Sequence, residues 1–238
     1  MWFLLCCYVC ASLPQSAASV AHRIVSRFEE RYRSANTLRA TFLERYEENG
    51  REVRTEAGTA YFRRPGKMRW EYESPEKDLF LVDGKTAWFY VPSDHTVTRV
   101  PAKHSTDWRT PLALLAGEMK VSRVCARVEL ATTEKAEDQD HVVLYCEVRT
   151  AEPGGSSRAA GTGRPPGAGQ DAVFFEVARD TGELSRLFVR QSGGVQVEFR
   201  FKNWRTDPLV PDSLFRFAVP IGVAIVNGEL PAGDAAIK

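Results

Sequence analysis

Between Val20 and Arg33 the apolar residues Val20, Ile24, Phe28 and Tyr32 recur every four positions among charged neighbours. That spacing predicts an amphipathic helix with one apolar stripe. From Arg39 the period falls to two. Ala40–Glu48 and Thr55–Arg63 flank an Asn49-Gly50 turn, and Pro65-Gly66 makes the next. Met68, Trp70 and Tyr72 then alternate with Arg69, Glu71 and Glu73, and Asp83-Gly84 separates strands over Lys77–Val82 and Lys85–Val91. Thr96–Val100 adds another strand, so this part of the chain predicts a β-meander.

Thr110-Pro111-Leu112-Ala113-Leu114-Leu115-Ala116-Gly117 interrupts the meander. Thr110 suits a cap, Pro111 the first helical position and Gly117 the stop, which predicts a short helix apolar on nearly every side. Strands resume over Val121–Leu130, His141–Arg149, Val173–Ala178, Leu184–Gln191 and Val195–Phe201. The pattern amounts to about ten strands and two or three helices. An antiparallel sheet of that size curls, and its concave face needs cover, for which the helices are available. The predicted fold class is therefore mainly β with α: a curled antiparallel sheet, an incomplete β-barrel, under two or three lid helices. Residues 153–170 hold six of the chain's 17 glycines and three of its 13 prolines, which predicts a disordered insertion in a hairpin.

Charge divides the chain unevenly. Lys plus Arg number 32 against 31 Asp plus Glu, a net +1, yet residues 1–21 contain none of them. Near-neutrality without a long like-charge run argues against a nucleic-acid partner. The apolar run Met1–Leu13, followed by Pro14 and the small residues Ser16-Ala17-Ala18-Ser19, fits a secretory signal peptide cut near Ala18 or Ser19, although no basic residue follows Met1. An uncleaved anchor and a buried core segment are the other readings of this stretch. The predicted organisation is a signal peptide over 1–18 and a single exported domain over 19–238. Removal of the leader takes Cys6, Cys7 and Cys10 with it and leaves Cys125 and Cys146. A hairpin centred near Lys135–Ala136 would set these two opposite each other. Both a cross-strand disulfide and two buried thiols remain open.

Catalytic and metal-binding signatures are missing from the sequence. His22, His95, His104 and His141 are scattered singly, and neither remaining cysteine has a partner at ligand spacing. His95 and His104 with Asp94 and Asp107 read as polar loop residues. No metal, no cofactor and no enzymatic activity are expected. The informative stretch is Tyr61 to Glu71, YFRRPGKMRWE. It reads either as a basic surface turn before a half-buried strand, or as an arginine at the rim of an apolar concavity lined by Met68, Trp70 and Trp88. An arginine in the second setting keeps its charge and five donors, so it seeks carbonyls in loops or at helix ends.

The run from Phe62 to Val100, with its Arg-Pro turn, Trp, Asp-Gly-Lys and Trp-x-Tyr, followed by TPLALLAG, resembles the periplasmic outer-membrane lipoprotein carrier family, LolA. Leu38–Phe42 and the segments Asp212–Phe217 and Pro220–Val223 are also similar to that family. Met68 stands where the family often has an aromatic residue. The resemblance implies a hydrophobic cavity for the acyl chains of lipoproteins, lidded by Leu112, Leu114 and Leu115, with Arg64 holding the lid. It also implies acylated lipoproteins, an inner-membrane ABC-type releasing complex and an outer-membrane acceptor as partners, for a chain expected to act as a monomer. A periplasmic lipoprotein-binding sensor and an anchored outer-membrane acceptor of the same fold are the alternatives.

Overall fold

The computed structural model describes residues 16–102, 112–149, 172–191 and 193–228. The leader up to residue 15, His104, Asp107, Thr110, Pro111 and the glycine-rich 153–170 segment lie outside the described residues. Helix α1 spans Ala17–Arg33 and starts three residues before Val20, because the Ser16 side chain accepts the Ser19 N–H at 3.3 Å. Ala21, Ile24, Phe28 and Tyr32 are buried along one stripe, each of the larger ones contributing roughly 1.5–3 kcal/mol by burial.

The remaining elements are β1 (Thr37–Glu48), β2 (Arg51–Arg63), β3 (Lys67–Ser74), β4 (Leu79–Val82), β5 (Thr86–Val91), β6 (Thr96–Pro101), α2 (Ala113–Ala116), α3 (Val121–Val124), β7 (Cys125–Leu130), β8 (His141–Val148), β9 (Ala172–Ala178), β10 (Leu184–Arg190), β11 (Val195–Thr206) and β12 (Ala224–Asn227). They form one sheet in the order β12-β6-β5-β4-β3-β2-β1-β11-β10-β9-β8-β7. Its two edges, β12 and β7, do not meet, so the barrel stays open. All pairs are antiparallel except β12 with β6.

Alternation assigns the two faces. Phe42, Phe62, Met68, Trp70, Tyr72, Phe80, Phe175, Phe199 and Phe201 belong to one buried cluster with α1, α2 and α3, on the inner face. The meander is tight where β2 meets β3: a Cβ on Gly58 would lie 1.9 Å from the Glu71 carbonyl oxygen, so only glycine fits. At Asn49-Gly50 both residues have positive φ, 50° and 75°, the geometry of a two-residue hairpin turn that this dipeptide favours.

The outer face is not simply solvated. Val143, Tyr145, Ala172, Phe174 and Phe188 make a second cluster. The β7–β8 loop folds over it, with Glu137 bonded to both Arg186 and Arg200. At the other end of the sheet, the chain after β11 runs along the outer face. It buries Phe215 in a 3-10 turn, Asp212–Phe215, and its Leu214 carbonyl accepts from Arg69 at 3.0 Å. It then adds β12, which alternation alone does not reveal.

Two predicted elements differ. The pattern predicts one strand over Val121–Leu130, but Val121–Val124 is a helical turn and the strand starts at Cys125. Valines favour strands, yet β8 ends at Val148, opposite Cys125, and offers no ladder beyond. The hairpin is also out of the anticipated register: Cys125 faces Val148, and Cys146 faces Val128. A bulge between Cys125 and Arg127 turns Cys125 back to the inner face. There it forms a diagonal disulfide with Cys146, Cα to Cα 5.4 Å.

Candidate functional site

Arg64 follows β2 directly, in the turn to β3, and its guanidinium meets two helix ends at once. Nη2 donates to the Tyr32 carbonyl at 2.8 Å and Nη1 to that of Arg33 at 2.6 Å, both in the last turn of α1. Nη1 also donates to the Ala35 carbonyl. On the other side Nε donates to the Gly117 carbonyl at 2.6 Å, the residue that ends α2. The last carbonyls of a helix lack intrahelical partners and carry partial negative charge, so a cation is stabilising at the end of α1. Burial pushes the arginine's pKa down and Asp207 pushes it up, with burial the larger effect. Arginine nevertheless remains charged at neutral pH.

The same turn binds α2 a second time, through the Gly66 N–H to the Ala116 carbonyl at 2.8 Å. From the far side, Glu29 of α1 accepts the Val121 N–H at 2.8 Å. The segment from Leu112 to Val124 is thus tied to the sheet at Ala116–Gly117 and to α1 at Val121. The disulfide at Cys125 anchors the residue that follows. Leu112, Leu114, Leu115 and Met119 are buried against the inner cluster. A cleft of about 300 Å³ opens between α2 and α3, lined by Ala113, Leu114, Met119 and Val124 among others.

Beneath this cover, Trp70 is fully buried. Phe42, Phe199, Phe62 and Phe201 surround it at centroid distances of 4.8, 5.2, 5.8 and 6.0 Å. Met68 lies on the same face, paired with Phe62 and Val82. The concavity in this structure is therefore closed, its floor packed with rings.

Trp88 is not part of it. Leu81 pairs with both Arg69 and Trp88, which puts Trp88 out of phase with Met68 and Trp70, on the outer face. There its ring packs on Phe217 at 5.4 Å, and its N–H donates to Asp83 at 3.1 Å. Aromatic bulk signals burial; the pleat decides which face. Ala87 and Phe89 occupy the inner positions of β5 instead. The reverse error concerns Trp204, which a strand ending at Phe201 leaves out. β11 continues to Thr206, and an irregularity opposite Arg39–Thr41, with Asn203 at φ 57°, disturbs the period of two. Trp204 packs on Tyr32, Phe201 and Phe62, beside the end of α1. The carbonyls that receive Arg64 and the Glu29 contact have no side-chain signature in the sequence at all.

A family model described as the outer membrane lipoprotein carrier protein LolA matches residues 33–151, half of the chain, which includes Arg64, strands β2 to β5 and helices α2 and α3. The chain belongs to the LolA family. It is 30% identical over 207 residues to the outer-membrane lipoprotein carrier protein of Methylococcus capsulatus, covering 86% of this chain and 88% of that one. It is 26% identical over 200 residues to the protein of the same description from Nitrosospira multiformis, covering 82% and 84%. Among solved structures, an uncharacterized conserved protein from Thermus thermophilus superposes with a TM-score of 0.51 at 15% identity, over 87% of this chain and 98% of that one. That likeness concerns the fold only. Among the described residues of this LolA-family chain, no helix is long and apolar enough to cross a membrane, and no group of three or more His, Cys, Asp and Glu is placed to hold a metal ion.

Proposed function

We propose that this protein is a soluble periplasmic carrier that shields the acyl chains of lipoproteins on their way from the inner to the outer membrane. In this reading residues 1–18 are a removed leader and 19–238 one carrier domain. An inner-membrane ABC-type complex loads it, and an outer-membrane acceptor unloads it. The observation that carries the reading is Arg64, one charged group bonded to the ends of both α1 and α2 over an aromatic floor.

Such a contact suits a reversible lid. Hydrogen bonds from a charged donor contribute about 1.5–3 kcal/mol each at most and are not additive, so the latch as a whole contributes about 2–4 kcal/mol. Each acyl CH₂ buried on the inner face contributes about 0.8 kcal/mol, so roughly three to five methylenes offset the latch. A lipid chain therefore shifts the population from closed to open without a covalent step. Lid residues Leu112, Leu114 and Leu115 exchange their contacts with the rings for contacts with the ligand. Met68, unbranched and adaptable, accommodates either partner.

The test is transfer itself. The mature protein is incubated with inner-membrane vesicles that contain the releasing complex and a radiolabelled lipoprotein. A soluble one-to-one complex is expected; label that stays wholly with the vesicles overturns the carrier reading.

A further inference from the structure

Trp70 is fully buried, and its indole Nε1 has no hydrogen-bond partner among the described residues. The other two described tryptophans differ. Trp204 donates to the Leu184 carbonyl at 2.7 Å and Trp88 to Asp83 at 3.1 Å. Buried indole N–H groups ordinarily find an acceptor, because one left without is desolvated for no return. The rings of Phe42, Phe62, Phe199 and Phe201 that pack on Trp70 are all hydrocarbon. Phenylalanine would fill such a place and leave no donor orphaned.

The orphan lies on the face that the lid covers. A group that enters when α2 moves reaches this floor. An alkyl chain brings no acceptor; the carbonyl at the head of an acyl chain brings a good one. We infer that Trp70 donates its Nε1–H to a carbonyl oxygen of the ligand's acyl linkage, and so makes the site selective for acyl over alkyl ligands. The inference deepens the carrier reading and rests on it. In the closed, empty state the donor goes unsatisfied; in the filled state it is paired, so the same group weakens closure and strengthens loading. A low-dielectric surrounding makes a single bond of this kind decisive, since both the wrong ligand and the empty state leave the donor unpaired.

The experiment compares two glycerolipids of equal chain length, a diester and a diether, by displacement of a fluorescent lipid from the mature protein. The wild type is expected to bind the diester about tenfold more tightly, about 1.4 kcal/mol. In Trp70→Phe the ratio falls to near one, whatever happens to overall affinity; a change in packing alone would weaken both ligands together. Equal binding of the two lipids by the wild type overturns this inference and leaves the carrier reading standing, whereas binding of neither overturns both. If Trp70→Phe does not fold, the Trp70 indole ¹H–¹⁵N signal, assigned by substituting the other tryptophans, replaces it. A downfield shift with diester and none with diether supports the bond, and the same shift with both refutes it.

Discussion

Replacing Arg64 by leucine removes the donors to Tyr32, Arg33, Ala35 and Gly117 while leaving an apolar side chain in their place. Ala116 keeps its bond from Gly66, and Val121 keeps its bond to Glu29, so the lid loosens rather than detaches. A loss of about 2–4 kcal/mol in the closed state corresponds to an opening equilibrium raised about 30- to 1,000-fold. Native-state hydrogen exchange reads this directly, since local opening sets the protection of each amide. Amides of Leu114, Leu115, Ala116 and Met119 should exchange faster by that factor. Those of Leu144, Phe175 and Leu187, in strands far along the sheet, should change far less. Uniform loss of protection across the sheet would mean that Arg64 supports the fold as a whole, and unchanged protection of the lid would mean that it holds nothing. Either outcome refutes the latch. In transfer assays the same variant should load lipid readily but release it poorly to the acceptor, because closure no longer helps to expel the chains; normal delivery would equally count against the latch.

Further expectations concern the frame. Gly58→Ala sets a Cβ 1.9 Å from the Glu71 carbonyl oxygen. It should destabilise by about 1–3 kcal/mol, lowering Tm by several degrees in calorimetry; an unchanged Tm would mean that the β2–β3 pairing, whose register shifts between Ala57 and Gly58, yields freely. The Cys125–Cys146 bridge closes a sequence separation of 21 residues. Replacing both by alanine should cost about 3 kcal/mol in urea unfolding under oxidising conditions, and equal stability of variant and parent would contradict that. Burial pushes the pKa of Asp83 up, but N–H bonds from Thr86, Lys85 and Trp88, with Lys67 nearby, hold it below the usual carboxylate range. A depressed folded pKa contributes stability above the unfolded value of about 3.9 and loses it as pH falls through the folded one. Asp83→Asn should thus be less stable than the parent at pH 7, by about 0.5–1 kcal/mol, and the gap should close as pH falls below the usual carboxylate range. A gap constant with pH would exclude the charge as its source.

Local signals in the sequence accounted for most elements, because each depends on neighbours along the chain. The four-residue stripe made α1, and alternation with Asn49-Gly50 and Asp83-Gly84 made the meander. The character of Arg64 was legible as well, since a guanidinium beside apolar strands has few ways to satisfy five donors. What packing in three dimensions settled was partnership. The pleat sent Trp88 outward and an irregular pairing brought Trp204 to the end of α1, neither of which residue type foretells. Val121–Val124 became a helical turn because β8 offered no ladder there and Glu29 took the Val121 N–H. Backbone carbonyls carry no sequence identity, so the acceptors of Arg64 became visible only when α1 and α2 were packed over the sheet. Residue order alone specified a curled sheet, helices to cover it and a charge that had to be satisfied. The packing chose which groups satisfied it, and left one donor, that of Trp70, without a partner among the described residues.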